Sequence, residues 1–99
     1  MQKAYKVHLT RTAQRDLGRI FFHISEDSFS KARKFILELE VKIGSLSSFP
    51  KRSPSIPEND FLGTNYRHLI HKKYRVIYRV EGRNVFVLRI IHGSKLLDL

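Results

Sequence analysis

Between Tyr74 and Ile91 the chain reads YRVIYRV, then Glu81-Gly82-Arg83-Asn84, then VFVLRII. Two runs of β-branched and aromatic residues with period two, broken by a short turn with Gly and Asn, specify an antiparallel hairpin. Gly82 takes the positive φ such a turn needs, and Asn84 tolerates it. In the first run Tyr74, Val76, Tyr78 and Val80 share one face, opposite Arg75, Ile77 and Arg79. In the second, Phe86, Leu88 and Ile90 oppose Val85, Val87, Arg89 and Ile91. Arg75, Arg79 and Arg89 therefore interrupt strands that are otherwise apolar. Arginine is rarely buried without a partner, so these side chains are expected on an open sheet face.

The rest of the chain supplies what covers the other face. Lys3 to Leu9 alternates around Tyr5, Val7 and Leu9 and reads as a first strand. Thr10 offers an N-cap, and Ala13, Leu17, Ile20, Phe21 and Ile24 then recur at helical spacing, predicting a helix over Arg11–Glu26. Ser28 or Ser30 can cap a second helix over Phe29–Ser47, with an apolar stripe of Ala32, Phe35, Ile36, Leu39, Ile43 and Leu46. Phe49-Pro50 ends it. Lys51–Asp60, with Pro54 and Pro57, reads as a loop, and Tyr66–His71 as a strand leading into the hairpin. The expected fold is a single α+β domain over residues 1–99: an N-terminal strand, an antiparallel helical hairpin, then a three-stranded antiparallel meander, the helices packed on one sheet face. The expected core is Leu17, Ile20, Ile36, Leu39, Ile43, Val76, Tyr78, Leu88 and Ile90, with Phe86 also on the covered face.

Nineteen Lys and Arg against nine Asp and Glu give a formal charge of +10. Such an excess on a small domain favours a polyanionic partner, either nucleic acid or an acidic protein. The candidate contact surface is Arg67, Arg75, Arg79, Arg89 and Lys95, whose cations could hold phosphates or carboxylates. His92, ending the last strand, is a candidate acid or base, although a lone strand-end histidine is more often capped by backbone. The chain has no cysteine, which excludes a disulfide framework and a thiol nucleophile and suits a cytoplasmic location. No apolar run approaches the roughly 20 residues of a membrane span. His68 and His71 are the closest histidine pair, yet on a strand they point to opposite faces, so no metal is expected. No phosphate-cradling glycine motif occurs, and no cofactor is expected.

The pattern of Tyr5-Lys6-Val7-His8-Leu9-Thr10, Ala13, Asp16-Leu17, Phe49-Pro50, Tyr66-Arg67, Tyr74 through Val80, and Leu88 through Gly93 resembles the RelE/ParE toxin superfamily of bacterial type II toxin–antitoxin systems. The resemblance spans almost the whole chain. It implies a small basic toxin neutralised, as a toxin–antitoxin hetero-oligomer, by an acidic antitoxin encoded beside it. ParE-like members inhibit DNA gyrase. RelE-like members are metal-independent endonucleases that cut messenger RNA in the ribosomal A site, using basic residues with a tyrosine or histidine. In that branch Arg75 and His92 are the implied catalytic residues. The nuclease pattern continues into a further basic, tyrosine-containing segment, whereas here only Ser94, Lys95, Leu96, Leu97, Asp98 and Leu99 follow. That difference favours the ParE-like branch. A non-toxic basic nucleic-acid-binding module is the competing class, and a gene neighbourhood lacking a short acidic reading frame would favour it.

Overall fold

The computed structural model describes residues 4–98, so Lys3, where the first strand was expected to begin, lies outside them. The elements follow in the order β1 (Lys6–Leu9), α1 (Arg11–Ser25), α2 (Phe29–Gly44), a 3-10 turn (Ser45–Ser47), α3 (Asn59–Leu62), β2 (Arg67–His71), β3 (Tyr74–Glu81) and β4 (Asn84–His92). Thr10 Oγ1 caps α1 by accepting from Ala13 N at 3.1 Å, and Ser28 Oγ caps α2 by accepting from Lys31 N at 3.2 Å. The β3–β4 turn places Gly82 at φ 59°. One sheet has the order β1-β4-β3-β2, with β1 parallel to β4 and the other pairings antiparallel. This is the expected α+β arrangement of strand, helical hairpin and meander.

The helical hairpin lies on one sheet face. Ala13 and Ile20 of α1 and Phe35, Leu39 and Ile43 of α2 meet Val76, Tyr78, Val85, Val87 and Ile90. Leu17 and Ile36 flank this core, half-buried. Tyr78 is fully buried, and its hydroxyl donates to the Pro50 carbonyl, which anchors the chain leaving α2. The outer side of the helices remains apolar at Phe22, Phe29, Leu37 and Val41.

Two expectations fail here, for separate reasons. Phe86 and Leu88 do not occupy the helical face; Val85 and Val87 do. Tyr78 pairs with Val87 and Ile77 with Arg89, which leaves Leu88 as the extra residue of a bulge. A bulge reverses the alternation beyond it, so Ile90 returns to the core that Val87 occupies before it. Phe86 instead faces the other side and stacks on the His8 ring, with centroids 5.0 Å apart. The second face, moreover, is not open along its length. Ile56, Ile77, Ile91 and Leu97 form a second buried cluster, flanked by Leu62 and Tyr66. Proline-rich composition suggested a plain loop across residues 51–60, but that segment carries its own apolar contact and leads into α3.

Leu39 has no exposure and sits where both helices meet the sheet. Leu39→Ala is expected to lower unfolding stability by about 2–5 kcal/mol, read from urea denaturation. A loss within about 0.5 kcal/mol would place Leu39 outside the tightly packed core.

Candidate functional site

Arg75 and Glu58 form the polar centre of the second face. Both are buried, with 4% and 1% exposure. Arg75 Nη1 donates to Glu58 Oε1 at 3.1 Å, and Nη2 donates to Oε2. Nη2 also reaches the Lys95 carbonyl at 2.7 Å, while Glu58 Oε2 accepts from Leu97 N at 2.8 Å. Nη1 further donates to His68 Nδ1 at 3.2 Å. A guanidinium cannot accept, so His68 must present a lone pair at Nδ1. Burial, and then the Arg75 charge, hold that imidazole below its ordinary pKa, which keeps it neutral for this role. The Arg75 hydrogen bonds lower the Glu58 pKa to about 2 against the opposing effect of burial.

A second buried carboxylate holds the free edge of β4. Strand β1 pairs with β4 only as far as Val87. Beyond that point the start of α1 takes over the edge. Thr10 Oγ1 donates to the Val87 carbonyl at 2.9 Å, and Asp16 Oδ2 accepts from Ile90 N at 2.9 Å. Arg89, following the bulge, reaches the same carboxylate through Nε at 2.8 Å and Nη2 at 3.2 Å. The Asp16 hydrogen bond is the main cause of a raised Arg89 pKa.

The expected basic face is therefore not assembled. Arg75 is enclosed with Glu58, and Arg89 is turned to the sheet edge by Asp16. Arg67 donates to the Ser53 and Lys51 carbonyls at 2.6 and 3.2 Å and fixes the segment crossing that face. Arg79 lies over the Phe86 ring at 4.4 Å and pairs with Glu81 at 2.5 Å. Lys95 contributes its carbonyl to Arg75 and leaves its side chain exposed. His92 Nδ1 accepts from Ser94 N at 3.2 Å, a local turn contact, and its ring meets Tyr74 edge-on. The two strand histidines do diverge: His68 joins Arg75, whereas His71 lies on the helical face, 3.5 Å from Glu38.

The structure brings together a different set. A cleft of about 530 Å³ opens between α1 and the end of β4, and Arg19, His23, Arg89, His92 and Lys95 line it. Only Arg89, His92 and Lys95 of these were singled out in the sequence. Asp16 and Glu58 were not, although Asp16 keeps helical phase with Ala13 and Ile20 and so marks the buried side of α1. Glu58 carries no comparable periodic signal.

A family model described as the ParE toxin of the type II toxin–antitoxin system parDE matches residues 7–97. Among solved structures, the chromosomal ParDE toxin–antitoxin system from P. aeruginosa superposes with a TM-score of 0.73 at 21% identity, covering 91% of this chain and 97% of that one. The toxin–antitoxin complex RelBE2 from Mycobacterium tuberculosis gives a TM-score of 0.58 at 25% identity, covering 90% of this chain and 98% of that one. No curated protein sequence matches significantly.

Removing one member of a buried ion pair leaves the other charge uncompensated, so Arg75→Ala is expected to cost about 3–5 kcal/mol near neutral pH. The Glu58 pKa is depressed on folding, so its contribution is complete above the unfolded value of 4.5 and is lost as pH falls toward about 2. Glu38, whose pKa is lowered chiefly by the Lys72 ammonium 3.2 Å from its carboxylate, acts with the same sign. Urea midpoints measured across that window should fall for the parent chain and fall less steeply for Glu58→Gln. Equal slopes would mean that the Glu58 carboxylate is not held as an ion.

Proposed function

The chain belongs to the ParE toxin family of type II toxin–antitoxin systems, and on that premise we propose that it arrests growth in the cytoplasm by binding DNA gyrase until an acidic antitoxin encoded beside it occupies it. Enclosure of Arg75 carries this reading over the nuclease one. The nuclease branch needs this arginine on a phosphate as charge develops. Here Arg75 is 4% exposed and its guanidinium is committed to Glu58, His68 and the Lys95 carbonyl. No helix among the described residues is long and apolar enough to cross a membrane.

A RelE-like endonuclease is the second reading, supported by the position of His92 beside Lys95 in the cationic cleft. Such a site would have to work without Arg75. Truncation after Gly93 cannot separate the two, because it removes the buried Leu97 and the Lys95 carbonyl that Arg75 uses. Loss of toxicity in Arg75→Ala is equally ambiguous, since that change attacks the fold.

Direct assay of the target is the cleaner test. Induced expression is expected to stop growth and trigger a DNA damage response, with relief when the adjacent gene is co-expressed. The purified protein is expected to inhibit gyrase supercoiling and to leave ribosome-bound messenger intact. A-site cleavage with unimpaired supercoiling would overturn the gyrase reading. Absence of any arrest would favour a non-toxic binding module.

A further inference from the structure

We propose that the sheet edge at β1 binds single-stranded nucleic acid, one base of which stacks on the outward face of the His8 ring. The site does not depend on which target the chain arrests. Three side chains from three strands form a single column there. Phe86 of β4 stacks on His8 of β1, with centroids 5.0 Å apart and ring planes 20° apart. On β3 the Arg79 guanidinium lies 4.4 Å from the Phe86 centroid, a cation–π contact. Because β4 runs between β1 and β3, His8 and Arg79 approach the Phe86 ring from opposite sides. The column therefore runs Arg79, Phe86, His8, and it stops at the edge of the sheet. No strand lies beyond β1 to continue it, and His8 is exposed. Asn84 Oδ1 can only accept, so His8 Nε2 donates to it at 2.9 Å. A ring held in this way costs less to order when a ligand arrives.

The neighbours of the column decide the ligand class. Lys6 shares the face of His8 on β1 and is exposed. Two residues along a strand span about 6–7 Å, which brings Lys6 within reach of the phosphate on a stacked nucleotide. The adjoining row across the sheet is Lys6, Asn84 and Glu81. Its one carboxylate, Glu81, is taken by Arg79 at 2.5 Å. That row is polar throughout, so it offers no apolar hollow for the anchor side chain of a peptide. Base stacking needs none, because every base presents a π face, and a +10 chain adds its attraction for the backbone. DNA and RNA strands share this chemistry. The column is also separate from the polar centre on the same face. Arg75 pairs with Ile91, five positions along β4 from Phe86, and the buried Ile77 stands between Arg75 and Arg79.

Fluorescence anisotropy at low ionic strength tests this with labelled oligothymidylate and oligouridylate of about ten nucleotides, against an abasic strand of equal phosphate count. The parent chain is expected to bind the base-bearing strands roughly tenfold more tightly than the abasic one. His8→Ala is expected to remove most of that preference and His8→Phe to keep it. Phe22→Ala deletes an exposed ring on the outer side of the helices and is expected to leave the preference within about twofold of the parent. Circular dichroism establishes that the variants fold. If His8→Ala does not fold, the His8 ring protons of the parent chain answer the same question. They are expected to shift upfield on titration with base-bearing strands and to stay in place with the abasic strand. Tighter binding of one sugar type would support the column equally and identify the strand as DNA or RNA. No binding, or equal affinity for base-bearing and abasic strands, would reduce the contact to net charge and overturn the proposal. So would an unchanged preference in His8→Ala, or a His8→Ala variant that keeps the strands but loses the acidic product of the adjacent gene.

Discussion

A guanidinium and a carboxylate removed from water together persist only when nearly every polar atom around them finds a partner. In this fold Glu58 and Arg75 meet that requirement by drawing in backbone from the chain after β4. Arg75 binds the Lys95 carbonyl and Glu58 binds Leu97 N. The pair therefore fixes where the segment before α3 and the segment after β4 must lie against β3. Ile56, Ile77, Ile91 and Leu97 can then close a second apolar cluster on a sheet face that would otherwise be wet. Apolar residues of similar volume could be as stable, but they would not dictate which backbone groups meet there.

The same economy governs the charge. The strand arginines are what make the sequence read as an exposed cationic sheet, and two of the three, Arg75 and Arg89, are paired with buried carboxylates. Asp16 takes Arg89 and Glu58 takes Arg75. The long-range field of the +10 chain consequently owes little to Arg75 and Arg89 and more to exposed cations on the helices, on β1 at Lys6, in the turns at Lys72, Lys73 and Arg83, and at Lys95.

Helix limits were legible because their signals are local. Thr10 and Ser28 cap where they were expected to; of the apolar stripes, Ala13, Ile20, Ala32, Phe35, Leu39 and Ile43 are buried, while Leu17, Phe21, Ile24 and Ile36 are half-buried. The meander was legible from its period of two and its turn at Gly82. Side-chain facing along β4 was not, because one bulge residue, Leu88, cancels any rule based on strict alternation. The candidate site was legible only in part. Arg75 and Arg89 were picked out as unusual, but their carboxylate partners lie 17 and 73 positions away in sequence. Nothing in a local pattern announces a pairing across that separation, so exposure was the wrong inference from a correct observation.

The parallel pairing of β1 with β4 also has a kinetic side. Leu9 sits opposite Val87, and Thr10 donates to Leu88 across 78 positions of sequence. During synthesis β1 has no sheet neighbour until β4 has been made, whereas the helical hairpin can form from adjacent residues alone. Contacts of such high sequence separation slow folding, because loop closure must precede the interactions that reward it. Both helices of the hairpin are complete in the nascent chain before any residue of β2, β3 or β4 has been made. Every surface that depends on the sheet, the cleft beside Ile90 included, comes into being only after nearly all the described residues have been translated.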